Sequence, residues 1–187
     1  MKYLSLLLLF LFPAPAFADE PCADLWWSRN HLFDQAGYCF ASPLGQSVFD
    51  NSDCTTKAPP KLSPAASKTV SAIREEEALW GCKVDTKATT LELQQLALRR
   101  RLEDVAVNDG LESACLNYLG PEFHVHAAAR DGAPVIGTIR TGDNIGLAHY
   151  SVFEGWLFVS YGTNLYPDSL VGWVSHDFWK QCEHVAG

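Results

Sequence analysis

The sequence predicts an α+β protein: a small helical domain held by disulfides, followed by a five-stranded β-barrel. Three observations predict it. Six cysteines follow an export-type leader. Apolar residues recur at helical spacing up to about Asn108. Beyond that point the pattern breaks into short apolar runs separated by turn residues.

The leader comes first. Lys2 precedes a leucine-rich run through residue 12, and Ala16-Phe17-Ala18 supplies a small-x-small cleavage pattern. The run is too short to span a bilayer, so residues 1–18 read as a signal peptide cut after Ala18. Asp19-Glu20-Pro21 before Cys22 does not resemble a lipid-attachment signal. Export places the cysteines in an oxidising compartment, periplasmic or secreted, where six of them suit three disulfides. Their spacing contains no C-x2-C ligand pair, so no metal or cofactor is called for.

Charge narrows the partners. The whole chain carries −8, and removing Lys2 with the leader leaves 13 basic against 22 acidic side chains. An acidic exported protein is poorly suited to nucleic acid or an anionic membrane surface. Arg99-Arg100-Arg101 is the one basic run; with Glu92, Glu103 and Asp104 around it, it reads as a solvated, salt-bridged helix face. No later apolar run is long enough for a membrane span.

The helical domain is expected over 19–110. Residues 23–36 put Leu25, Trp26, Leu32, Phe33 and Ala36 on one stripe, with Gly37 as a left-handed stop. Ser42-Pro43 starts a short segment through Asp50 carrying Leu44, Val48 and Phe49. Ser63-Pro64 opens a third helix with Ala66, Val70, Ile73 and Trp80 inward. Thr89-x-x-Glu92 reads as the capping box of a fourth, with Leu91, Leu98, Leu102 and Val105 inward and Gly110 beyond its end. Three helices running down, up and down place Cys22 with Cys54 and Cys39 with Cys82; the alternative joins Cys39 to Cys54 and Cys22 to Cys82.

The barrel is expected over 111–187, from runs at 124–127, 135–139, 144–147, 155–159 and 171–174. Cys115 before the first and Cys182 after the last would staple its ends.

Two stretches resemble known families. Leu25, Trp26, Arg29, Asn30, Gly37, Tyr38 and Phe40 stand where the YARHG domain of exported bacterial proteins has L-W, R-N and G-Y-x-F. Phe33-Asp34-Gln35-Ala36-Gly37 replaces the namesake pentapeptide, keeping an aromatic and the glycine but losing Arg and His. That family implies an exported setting and no defined chemistry. Residues 122–182 resemble a bacterial SH3 domain, through Arg130-Asp131-Gly132, Gly137-Thr138-Ile139, Gly142-Asp143, Gly155-Trp156-Leu157-x-Val159 and Gly172-Trp173-Val174. That resemblance implies a barrel that binds cell-wall peptide or glycan, or docks another protein.

Catalytic patterns are sparse. His124 and His126 share one strand face, without an evident third ligand. Glu75-Glu76-Glu77 and Glu103-Asp104 read as wet helix surface. No G-x-S-x-G turn, phosphate loop or acid–histidine spacing stands out. Arg29 lies on the apolar stripe of the first helix, where a guanidinium needs a carboxylate; Asp50 and Asp53 are the expected partners. A ligand carboxylate is the alternative. For binding, the barrel aromatics and a long loop stand out: Tyr150, Phe153, Tyr161, Asn164, Tyr166 and Asp168, with Tyr161 and Tyr166 expected to be exposed. Trp156 and Trp173 read as core.

The functional expectation is a non-catalytic exported protein recognising cell-envelope material or another exported protein. Its rivals are a hydrolase whose residues converge only in the fold and an inhibitor or partner of an exported enzyme.

Overall fold

The computed structural model describes residues 20–165 and 168–187. The expected leader (1–18, cut after Ala18) and Tyr166 lie outside the described residues. Helix α1 spans Glu20–Gln35, α2 Pro43–Val48, α3 Pro64–Leu79 and α4 Leu96–Arg99. Seven strands follow: β1 Val107–Tyr118, β2 Phe123–His126, β3 Val135–Ile139, β4 Asn144–Tyr150, β5 Leu157–Gly162, β6 Leu170–Val174 and β7 Cys182–Ala186. They form one antiparallel open sheet in the order β3-β2-β6-β5-β4-β1-β7.

The helix starts obey local chemistry. Ser42 and Ser63 cap α2 and α3, accepting from the backbone N–H of Gly45 and Ala66, and proline occupies the first turn of each. Gly37, with φ +81°, turns the chain out of α1; a Cβ there would meet Thr55 Oγ1 at 2.4 Å. Tyr38 then forms a bridge with Thr56, and Cys39 N–H donates to the Thr56 carbonyl.

That return decides two disulfides. The excursion through α2 comes back to its own starting point, so Cys39 pairs with Cys54. Helix α3 packs against α1 with its C-terminal end at the N-terminal end of α1, and Cys22 pairs with Cys82. The preferred pairing of Cys22 with Cys54 and Cys39 with Cys82 is thus replaced by its alternative. A six-residue α2 is too short to carry the chain to the far end of α1, as that arrangement required. Cys115 and Cys182 pair as expected. The same antiparallel contact corrects the partner of Arg29: Glu77 takes it, with Nε at 3.0 Å from Oε2, instead of Asp50 or Asp53.

The capping box starts no helix. Gln95 adopts a left-handed conformation, α4 runs for a single turn, and residues 107–118 become β1. Arg99 points inward, so the Arg99-Arg100-Arg101 run is not a uniformly solvated face. Arg100 reaches the Val48 carbonyl at 2.6 Å, and Arg101 remains exposed.

All five expected runs are strands, and β1 and β7 extend them into a larger sheet. The β4–β5 pairing covers Asn144–Gly146 only; β4 then continues to Tyr150 against β1. The core of the helical part takes in Val105 and Val107, with Tyr150 and Val152 packed against it. A second core fills the sheet around Cys115, Tyr118, Val125, Ile139 and Val159. A third joins Leu102 and Ala106 to Phe158 and Trp173, whose indole N–H donates to the Asp104 carbonyl.

Candidate functional site

Asp24 sits on the first turns of α1, among Cys22, Ala23, Leu25 and Trp26, all buried. A carboxylate in that position needs donors, and four elements supply them. Arg99 from α4 gives Nη1 to Oδ1 at 2.8 Å and Nη2 to Oδ2 at 3.1 Å. Asn108 from β1 donates to Oδ2 at 3.2 Å, and Ser28 one helical turn on donates to Oδ1 at 3.2 Å. His149 from β4 places Nε2 2.6 Å from Oδ2. Burial alone would raise the Asp24 pKa; the Arg99 and His149 charges and the His149 and Asn108 hydrogen bonds outweigh it and hold the carboxyl well below the usual range.

The Asp24 carboxylate is satisfied from within. Arg99 also gives its Nε–H to the Gln94 carbonyl and lies 5.9 Å from the Trp27 ring centroid. Trp27 stacks on His31, whose Nε2 faces the Leu102 carbonyl at 2.8 Å. Burial lowers the His31 pKa, so the ring is held neutral.

Above this cluster lies a cleft of about 530 Å³. Gln94, Gln95 and Arg99 line one side, and Gly146, Leu147, Ala148 and His149 of β4 another. Phe158 and Ser160 of β5 also line it, Ser160 opposite Gly146 at the last β4–β5 pair and Phe158 beyond it. Leu165 and Ser169 bring in the loop before β6, and Ser169 Oγ accepts from Gln95. A ligand here would meet amide, hydroxyl and apolar groups over the paired Asp24, with Glu112 also among the lining residues. Because a carboxylate only accepts, His149 donates through Nε2, which leaves Nδ1 as its second nitrogen.

Among the described residues, those the sequence predicted for binding do not gather in this cleft. Tyr161, expected to be exposed, is buried in the sheet core, where the inward face of β5 carries it. Phe153 packs edge-to-face on Trp173, and Tyr150 packs against the helical core. Asn164 and Asp168 are exposed on the loop that lends Leu165 and Ser169 to the cleft. Trp173 is core and Trp156 is half-buried. His124 is exposed, while His126 Nδ1 faces the Ala133 carbonyl at 3.0 Å. Among the described residues no group of three His, Cys, Asp or Glu side chains could hold a metal ion. None of their helices is long and apolar enough to cross a membrane.

Sequence reasoning missed Asp24 and His149, which are 125 positions apart. One signal was present: a lone aspartate flanked on both sides by apolar residues of an expected core helix.

Residues 81–187 match a family described as a domain of unknown function, DUF4453. The chain belongs to the DUF4453 family. Residues 1–78 match the YARHG domain. Neither the curated proteins nor the solved structures contain a match. The cleft floor therefore joins the two matched segments: Asp24 comes from the YARHG segment, and Arg99, Asn108 and His149 come from the DUF4453 segment. The Cys22–Cys82 disulfide makes the same crossing. Three disulfides and a YARHG segment are consistent with an exported protein.

Proposed function

We propose that this DUF4453 protein is an exported, non-catalytic binding protein that holds cell-envelope material, a peptidoglycan peptide or glycan, in the cleft above Asp24. The second form of the same reading has another exported protein as the ligand. One observation carries the proposal: the cleft is open and lined by apolar side chains with amide and hydroxyl groups among them, while Asp24 and Arg99 beneath it are paired in holding α1, α4, β1 and β4 together. Such a floor keeps the walls in register without chemistry of its own. The SH3-like reading of the segment from β2 to β6 belongs to this proposal. It draws support from the Gly155-Trp156 and Gly172-Trp173 pairs and from Trp173 filling the space between strands. Residues 1–18 act in it as the cleaved export signal.

Purified peptidoglycan, pelleted with the protein at low and moderate salt, tests the wall form. Recovery in the pellet, lost on Gln95→Ala and Ser160→Ala, is the expected result. A protein that stays in solution at both salts sinks the wall form; co-purification from periplasmic extract then tests the protein form.

The Asp24–His149 pair favours one second reading. An imidazole oriented by a buried carboxylate can take a proton through its other nitrogen, which is the general-base half of a hydrolase site. Release of soluble fragments from peptidoglycan, abolished by His149→Gln, would favour that reading over binding.

A further inference from the structure

A second surface borders the cleft where α3 ends. Trp80 closes α3 and is 45% exposed, a large apolar side chain left in solvent. Its ring is held in place: Gly110, at φ +71°, lies so close beneath that a Cβ there would meet Trp80 Cζ2 at 2.3 Å. Leu79 and Leu111 flank that contact in sequence and are 79% and 74% exposed. Three exposed apolar residues thus lie in the segments that meet where the end of α3 reaches the irregular part of β1, between Asn108 and Ser113. A half-exposed indole packed on a glycine, with exposed aliphatic residues next to it in the chain, is the composition of a binding hot spot.

The charge around it is acidic. Glu75, Glu76 and Asp109 lie close enough to Tyr150 to push its pKa up, after the larger effect of burial. Glu112 follows Leu111 on the same strand. None of these four carboxylates has an ion-pair partner among the described residues, whereas Glu77 is taken by Arg29. One oxygen of Glu76 is buried with no donor. Arg74 and Lys83 are the basic residues adjoining the ledge in sequence, fewer than the acids.

We propose that the Trp80–Leu111 ledge is a docking surface for a cationic, amphipathic segment of another exported protein. An aliphatic or aromatic side chain of that segment packs on Trp80, and its lysines or arginines face Glu75 and Asp109. An acidic partner, or a bare anionic polymer, would meet repulsion here. The ledge borders the cleft, because Gly110 and Glu112 also line it; Trp80, Leu111, Glu75 and Asp109 do not, so substitutions at those four read the ledge apart from the cleft.

The test uses the full oxidised protein and two synthetic peptides, one alternating lysine with leucine and one alternating lysine with serine, titrated at physiological salt. The lysine–leucine peptide is expected to bind, and Trp80→Ala to weaken it by about tenfold or more. Glu75→Gln with Asp109→Asn should lower affinity and flatten its salt dependence. Leu111→Ser, at an exposed position, keeps the test open should Trp80→Ala fail to fold; it should weaken binding in an unaltered thermal melt. Val135→Ser, on the exposed outer strand β3, should change nothing. Equal binding of both peptides, equal binding by wild type and the Trp80 and Leu111 variants, or an equal loss in Val135→Ser would each overturn the proposal.

Discussion

Asp24 shows how much one buried carboxylate can organise. It accepts from Ser28, Arg99, Asn108 and His149, so removing its charge strands the Arg99 guanidinium in the interior. Asp24→Asn is expected to destabilise the protein by about 3–5 kcal/mol, measured by denaturant unfolding at neutral pH. Asp34 behaves in the opposite sense. Burial, with Asp53 and Asp50 adding repulsion, raises its pKa to about 6. The folded state then binds a proton that the unfolded state has released between pH 3.8 and about 6, so this residue costs stability as pH rises through that window. Asp34→Asn should therefore stabilise at pH 7, by about 1 kcal/mol at most once solvent screening is allowed for, and have no effect near pH 3. An equal effect at both pH values would contradict the assignment. His31 has its pKa lowered by burial, so its contribution is full above 6.5 and is lost as pH falls below that value.

At the scale of elements, the disulfides and β1 matter most. Cys22–Cys82 fastens the start of α1 to the end of α3 across a separation of 60 residues, and Cys39–Cys54 closes only 15. In the chain-entropy model these are worth about 4 and about 3 kcal/mol. Removing the first pair should lower the unfolding midpoint more than removing the second. It should also disturb the cleft, because Cys22 lies half a helical turn from Asp24. Strand β1 bends around the irregularity between Asn108 and Ser113, which frees Gly110 to sit beneath Trp80. Gly110→Ala should cost stability on two counts, the left-handed φ and the clash with the indole, and should swing Trp80 out of place. Near-ultraviolet circular dichroism would report the change.

Across the whole molecule, the two matched segments share their interior. Val105 and Val107 belong to the helical core, Tyr150 and Val152 pack against it, and Asp24 is neutralised from the other side of the boundary. Thermal unfolding of the oxidised protein should accordingly be one cooperative transition by calorimetry and by circular dichroism; two separated transitions would show independent halves.

The periodicities in the chain were enough to define α1, α2, α3, both serine caps, the Gly37 stop and all five apolar strands, because these depend on neighbours a few residues apart. The Cys115–Cys182 bridge was legible for a related reason: each cysteine flanks the block of strands it closes. The rest came from long-range contacts that no local pattern encodes. The Thr89–Glu92 capping signal lost to strand pairing, because β1 gains partners in β4 and β7 and Arg99 gains Asp24. Tyr161 moved from an expected binding surface into the core because β5 sits inside the sheet, with neighbours on both edges. The two N-terminal disulfides, the Arg29–Glu77 pair and the Asp24–His149 contact all follow from how α1 meets α3 and the sheet. Local chemistry chose the elements; burial of distant charges and apolar faces against one another chose the cleft.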